Sequence, residues 1–374
     1  MAQIAPRGLQ PRATVPHVMT VFGTRPEAIK MLPVVRAVRE QGMRHTLLCT
    51  GQHRDLAAQV FAAFGERPDI DLDLMRPGQT PNSVLAAILT HLPPHLEALA
   101  PDIVLVHGDT TTALGAALAA FHAGIPVGHV EAGLRSYDLS GPFPEEMNRV
   151  AVDALAALRF APNEESAANL AREYSAGQRC IVTGNTGIDA LLHVASTLPP
   201  PAPTNRPLIL VTAHRRESLG QGFANIAEGL ARIAARGDAE LVLPLHPNPA
   251  VREALIARLA GLPNIRLTEP LDYPAMVALL RQAHHVITDS GGLQEEAPAL
   301  GKPVLILREV TERPEAVAAG VARIVGTDPE RIAAESSLLL DDPAEYAARA
   351  RPVFPYGDGQ AARRIAAAVA EYLS

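Results

Sequence analysis

Residues 286–303 read VITDSGGLQEEAPALGKP. The stretch predicts a short apolar strand over 285–288, a tight turn at 289–292, and a helix carrying two carboxylates. Ser290, Gly291 and Gly292 would bring unpaired backbone N–H groups and the positive end of a helix dipole to one point, which suits a phosphate. Glycine lets a bulky anion approach the backbone closely. Glu296 follows Gly292 by four residues, one turn along the same helix face. A carboxylate there suits the vicinal hydroxyls of a ribose. An ordinary capped helix with a solvated acidic face reads the same over these residues alone, so the rest of the chain decides between the two.

On either side, strands alternate with helices. Strands are predicted over 17–22, 45–50, 103–106, 126–130 and 179–183, then over 208–212, 240–243, 265–268, 285–288 and 303–307. Helices of about ten residues or more lie between them, including one periodic segment over 81–99 and a last helix over 359–373. This alternation predicts parallel βαβ units. The Pro-rich segment 198–207, LPPPAPTNRP, separates two such runs. The expected fold class is therefore α/β, with two doubly wound Rossmann-like domains facing across a cleft. Residues 17–197 form the first, with the helix over 359–374 packing back on it, and 198–358 form the second. Ligands of such sheets bind beyond the carboxyl ends of the strands. The clusters GTR (23–25), HGDT (107–110), EAGLR (131–135), AHRRES (213–218), LHPNP (245–249) and TDSGG (288–292) each follow a predicted strand.

Composition narrows the classes. The chain has 374 residues, 48% apolar and 20% charged, which fits a globular protein with room for two cores. Trp is absent and aromatics make up only 4%, so the cores must be built from Ala, Leu, Val and Ile. A net charge of −7 argues against a general nucleic-acid or membrane surface, and an anionic ligand must meet a local basic cluster. No run of 18 apolar residues predicts a membrane span. Residues 1–16 lack the apolar core of a signal peptide and read as a mobile tail on a cytoplasmic protein. Cys49 and Cys180 both fall in predicted strands and read as buried free thiols. No metal-ligand spacing, GxGxxG, GxxxxGK[ST] or GxSxG is present, which removes support for metal, redox and ATP-driven chemistry.

Each cluster admits a chemical role beside a structural one. Arg25 and Lys30 suit an anion, as a planar fork and a point charge, or simply decorate a capped helix. Asp109 is a candidate acid or base, although Asp is also a favoured N-cap. Glu131 ends an apolar strand, and burial is expected to raise its pKa toward that of a general acid or base. Glu145 and Glu146 open a helix, where either favours the dipole. His214, ahead of Arg215 and Arg216, suits a departing diphosphate, or a satisfied structural histidine. His246 has a similar setting, flanked by proline.

Together these residues carry a resemblance. GTRPEAIK (23–30), HGDTTT (107–112), GHVEAGLRS (128–136), PEEMNR (144–149), TGNTGIDAL (183–191), AHRRES (213–218), HPNP (246–249), TDSGGLQEEAPALGKPVL (288–305), TERPEA (311–316) and PYGDGQA (355–361) resemble, in order, the bacterial non-hydrolysing UDP-N-acetylglucosamine 2-epimerases. The resemblance implies a fold like that of GT-B glycosyltransferases and a homodimer. It also implies interconversion of UDP-N-acetylglucosamine and UDP-N-acetylmannosamine without a cofactor, serving cell-surface polysaccharide synthesis. It carries a catalytic set onto Asp109, Glu131, Glu145 and His214. Substrate contacts fall on Arg25, Lys30, Ser290, Gly291, Gly292, Glu296 and Arg313. Some members have an effector site for UDP-N-acetylglucosamine, to which Gln52, Gln79, Arg215 and His246 would belong. Those members carry Arg where this chain has Gly78, a departure that bears on effector control.

The implied chemistry is elimination of UDP to a glycal-like intermediate, followed by re-addition after C2 is protonated on the other face. A glycosyltransferase would share the fold and the UDP pocket but require an acceptor. A hydrolysing epimerase would release free N-acetylmannosamine. A sensor would bind without turnover.

Overall fold

The computed structural model describes residues 15–51, 54–76, 78–174, 179–215, 220–246 and 248–374. The expected tail at 1–16 therefore lies almost wholly outside the described residues. Contacts divide the chain into two units. One runs up to Leu192 and adds Gly357–Ser374; the other is His193–Tyr356.

The first unit is built on a seven-stranded sheet. Its strands are β1 (His17–Phe22), β2 (Arg44–Cys49), β3 (Ile70–Asp71), β4 (Ile103–His107), β5 (Val127–Val130), β6 (Leu158–Ala161) and β7 (Arg179–Val182), in the order β3-β2-β1-β4-β5-β6-β7. The helices are α1 (Arg25–Glu40), α2 (Arg54–Phe64), α3 (Pro81–His91), α4 (Pro93–Leu99), α5 (Thr111–His122), α6 (Glu145–Leu155), α7 (Glu164–Glu173) and α8 (Thr186–Thr197), the last running across the boundary between units.

The second unit has six strands, β8 (Leu208–Thr212), β9 (Glu240–Pro244), β10 (Ile265–Thr268), β11 (His285–Thr288), β12 (Val304–Ile306) and β13 (Ala322–Ile324), ordered β10-β9-β8-β11-β12-β13. Its helices are α9 (Gln221–Ala235), α10 (Pro249–Leu259), α11 (Tyr273–Gln282), α12 (Gly291–Ala299), α13 (Pro314–Ala318), α14 (Pro329–Asp341) and α15 (Pro343–Arg349). The chain closes with α16 (Ala361–Leu373), which belongs to the first unit. All paired strands are parallel. Both units are thus doubly wound sheets, as the alternation predicts.

Each sheet reverses its order once, between β1 and β4 and between β8 and β11. Ligands of such sheets bind at that reversal, beyond the strand carboxyl ends. The loops there are GTR and HGDT in the first unit and AHR and TDSGG in the second.

Without Trp, the cores close through small side chains. Ala113, Ala116, Ala117 and Ala120 on α5 are fully buried, and Gly115 between them meets α3: a Cβ on it would lie 3.0 Å from Ile88. The second core packs Phe223, Ile226, Leu230 and Ile233 of α9 against Leu241 and Leu243 of β9 and Ile332 and Leu339 of α14. Burying each such aliphatic side chain contributes about 1.5–3 kcal/mol.

Local differences from the sequence reading have local causes. The single helix over 81–99 is two, parted at Leu92, because Pro93 and Pro94 open α4. Cys49 is buried, but Cys180 is exposed because β7 is the edge strand.

Helix α16 packs on α1 and buries Ala362, Ile365, Ala366 and Val369. Asp189 of α8 caps it, accepting from the N–H groups of Ala361 at 3.3 Å and Ala362 at 2.9 Å. Burial pushes the Asp189 carboxyl up to about 6, against those two N–H groups, which favour the anion. A carboxyl raised in the folded state contributes stability that is complete below its unfolded value of 3.8 and is lost as the pH rises through about 6. Asp189→Asn carries no charge at any pH. Its Tm relative to the parent should therefore rise between roughly pH 5 and pH 7.5, equivalent to about 1 kcal/mol. Parallel Tm curves for the two proteins over that range contradict the linkage.

Candidate active site

In the first unit the site grows from the β1–α1 loop. Thr24 caps α1 in a capping box with Glu27, whose Oε2 accepts from the Thr24 N–H at 2.8 Å and the Gly23 N–H at 3.2 Å. The Thr110 hydroxyl donates to the other oxygen, Oε1, at 2.8 Å. Glu27 therefore ties the GTR loop to the HGDT loop. Burial pushes its carboxyl up, opposed by the hydrogen bonds from Thr24 and Thr110.

This frame fixes the start of α1 and so the direction of Lys30. Its Nζ lies 2.6 Å from Oε1 of Glu131, while Nε2 of buried His107 lies 2.9 Å from Oε2. Lys30 is one of only two lysines in the chain, the other being Lys302. Glu131 adopts φ +66°, in the left-handed region, at the end of β5. The expected rise in its pKa does not occur. Burial does push the Glu131 carboxyl up, but Lys30 and His107 override it and hold the group well below the usual carboxylate range.

Asp109 does not cap α5; Thr110 does, accepting from the Ala113 N–H at 3.0 Å. The Asp109 carboxylate pairs instead with Arg149, and its backbone carbonyl accepts from Asn148 at 2.8 Å. Both partners come from α6, the helix that opens with Glu145. Of the two carboxylates there, Glu146 is buried and structural: it accepts the N–H groups of Ser136 and Tyr137 at 3.0 and 2.9 Å. Glu145 has no ion pair among the described residues. Gly108 adjoins Glu131, with its Cβ position 3.7 Å from Oε2. The structure thus links Lys30, Glu131, His107, Asp109 and the first turn of α6 through direct neighbours. Arg25 opens α1 half-buried, without an ion pair among the described residues.

Beneath these loops is a buried support. His129 Nδ1 lies 2.6 Å from Asp153, and its Nε2 donates to the Gly108 carbonyl at 2.8 Å. Asp153 also pairs with Arg135 at 2.8 Å and accepts from the Gly133 N–H at 3.2 Å. The network holds the loops on both sides of Glu131.

In the second unit, β8 and β11 pair in register through Thr212 and Thr288, so the residues after them are neighbours. Asp289 is fully buried; its Oδ2 accepts from the N–H groups of His214 at 2.6 Å and Arg215 at 2.8 Å. His214 Nδ1 lies 2.8 Å from Asp289 Oδ1, and its ring stacks on His246 with centroids 5.3 Å apart and planes at 14°.

Ser290 starts α12 without a side-chain cap, leaving the helix N-terminus open to an anion. The Arg313 guanidinium covers that end: a Cβ on Gly291 would lie 2.8 Å from its Cζ, so a larger residue there must push the guanidinium aside. Glu295 holds Arg313 Nε at 2.5 Å, and the Tyr356 hydroxyl donates to the Arg313 carbonyl at 3.0 Å. Gly292 is exposed beside it. Glu296, one turn on, accepts from the hydroxyl of buried Tyr273 at 3.2 Å.

Of the residues assigned to an effector site, Gln52 lies outside the described residues. Gln79 is engaged in its own turn, accepting from the Arg76 N–H at 2.7 Å and donating to the Leu74 carbonyl at 3.1 Å. Gly78 in that turn has φ +77°, which favours glycine over any residue with a side chain. No group of three or more His, Cys, Asp or Glu among the described residues is placed to hold a metal ion. No described helix is long and apolar enough to cross a membrane.

Sequence reasoning passed over His107, Tyr273 and Asp289. Asp289 and His107 stand inside quoted motifs, but their importance depends on partners far away in sequence.

The family profile described as UDP-N-acetylglucosamine 2-epimerase matches residues 36–370. The chain belongs to the UDP-N-acetylglucosamine 2-epimerase family. It is 50% identical over 370 residues to the UDP-N-acetylglucosamine 2-epimerase of Salmonella typhimurium, covering 95% of this chain and 98% of that one. The UDP-GlcNAc 2-epimerase of Neisseria meningitidis, solved bound to UDP-GlcNAc, matches with a TM-score of 0.86 at 43% identity, over 95% of this chain and 100% of that one. The Methanocaldococcus jannaschii UDP-GlcNAc 2-epimerase, solved with UDP-GlcNAc and UDP, gives 0.77 at 30% identity, over 95% and 99%.

Proposed function

We propose that the chain interconverts UDP-N-acetylglucosamine and UDP-N-acetylmannosamine without hydrolysis, by anti- or syn-elimination of UDP and its re-addition. The observation that carries this reading is Glu131, a half-buried carboxylate held anionic between Lys30 and His107. The C2 hydrogen of the sugar is not acidic until the C1–O bond to UDP lengthens and positive charge builds at C1. A weak but permanently ionised base then suffices to take it. The same group, once protonated, is a strong acid, which suits return of a proton to the poorly basic double bond of a glycal. Asp109, steadied by Arg149, serves the opposite face of C2. Glu145 orients a sugar hydroxyl.

In the second unit, the open end of α12 and Arg313 receive the diphosphate, as preorganised charges that cost no reorganisation when UDP departs. Glu296, steadied by Tyr273, takes the ribose, and His214 gives a proton to the leaving phosphate. Arg25 adds a cation on the sugar side. The family reading also carries a homodimer acting in the cytoplasm.

The test is incubation with UDP-N-acetylglucosamine alone in D₂O, followed by NMR. UDP-N-acetylmannosamine bearing deuterium at C2 is the expected product. Retained hydrogen at C2 rules out the elimination route. Free N-acetylmannosamine with UDP identifies a hydrolysing enzyme, and no product without an added acceptor points to a glycosyltransferase.

A further inference from the structure

We propose that Asp289 is a positioning residue that fixes the tautomer of His214 and thereby aims the opposite ring nitrogen, Nε2, at the departing phosphate. The inference rests on the reading of His214 as proton donor to UDP. Its basis is the way the two oxygens of Asp289 are divided. Oδ2 is occupied by the backbone N–H groups of His214 and Arg215, at 2.6 and 2.8 Å, so the carboxylate cannot rotate. Oδ1 is buried, has no other hydrogen-bond partner among the described residues, and faces His214 Nδ1 at 2.8 Å.

The approach is bent rather than along the N–H direction, as is common before substrate binds. Two lone pairs, one on nitrogen and one on a carboxylate oxygen, repel at that separation. A proton must therefore lie between them, and Nδ1 carries it. This leaves Nε2 as the nitrogen for the ligand: a second proton taken up there gives the imidazolium, which Asp289 stabilises, and the ring hands that proton to the departing phosphate oxygen and returns to the Nδ1-protonated neutral form.

His246 covers the ring face. Its own Nδ1 accepts from the Asn248 N–H at 3.1 Å, so its proton sits on Nε2. The two stacked imidazoles hold opposite tautomers, each set by a different neighbour. The register of β8 against β11 brings Asp289 to His214, so this arrangement is built into the sheet.

Two measurements test it. In protein labelled with ¹⁵N-histidine, long-range ¹H–¹⁵N correlation should show His214, identified by loss of its signals in His214→Gln, as the Nδ1-protonated tautomer once the pH is raised until its ring is neutral. An Nε2-protonated neutral ring overturns the proposal, whatever the activity. In the Asp289→Asn variant, kcat should fall by roughly 10²–10⁴-fold, the scale seen when a catalytic histidine loses its orienting carboxylate. KM should stay within about threefold, and Asp289→Glu should recover part of the loss. Turnover within threefold of the parent in Asp289→Asn overturns the proposal. Should that variant fail to fold, the tautomer in the parent protein still decides. Normal turnover in His214→Gln would instead remove the reading of His214 itself, and the NMR result would still report on Asp289.

Discussion

Glu131→Gln should lower kcat by a hundredfold or more while leaving KM within a few-fold, and Asp109→Asn should do the same. Loss of a positioned acid or base costs about 10²–10⁴-fold. In Glu131→Gln the loss has two parts. The base is gone, and Lys30 and His107 face a neutral amide in a half-buried setting, which removes the charge that their positions serve. Asp109 is set differently, half-exposed and paired with Arg149, so Asp109→Asn removes the proton carrier with less disturbance. The discriminating measurement is wash-in of solvent deuterium at C2 beside kcat. If turnover in either variant stays above about a tenth of the parent's, that carboxylate does not move the C2 proton.

Arg313→Ala should weaken UDP binding by about 10–100-fold in titration calorimetry. A hydrogen bond to a charged group contributes about 1.5–3 kcal/mol, and removing this guanidinium also takes away the contact that Glu295 makes with Arg313 Nε beside the proposed phosphate site. Gly291→Ala reaches the same site by another route, because its new methyl group would overlap the guanidinium carbon at 2.8 Å and displace it. The two variants together separate charge from placement: the first lacks the cation, the second only moves it. UDP affinity within twofold of the parent in Arg313→Ala would show that the α12 end binds without it.

The fold was legible because most strands are short apolar runs ending in polar clusters. The run IVLV before HGDT is one, and HVIT before DSGG is another. β6 escaped notice because its four residues, LRFA, include an arginine, and Arg159 is nonetheless buried, stacked over Tyr174. β3 and β13 are only two and three residues long, too short to show a period. In the candidate site, residue types at loop positions could be read, but not their charge states. Glu131 sits 101 residues from Lys30, and that pairing reverses the expected direction of its pKa. Likewise Asp289 stands inside the stretch that decides the fold, yet its carboxylate serves a histidine 75 residues earlier. Spacing along the chain could not assign Glu145 and Glu146 either: their roles separate only once Ser136 and Tyr137 are seen to engage the second.

The scarcity of lysine has a practical consequence. Of 33 basic side chains, two are lysines and the other 31 are guanidinium groups, which keep their charge to beyond about pH 12. In alkaline solution the protein's positive side chains are therefore nearly a fixed background. A fall in turnover there that comes from a lost cation on a side chain has two residues to blame, and one of them touches Glu131.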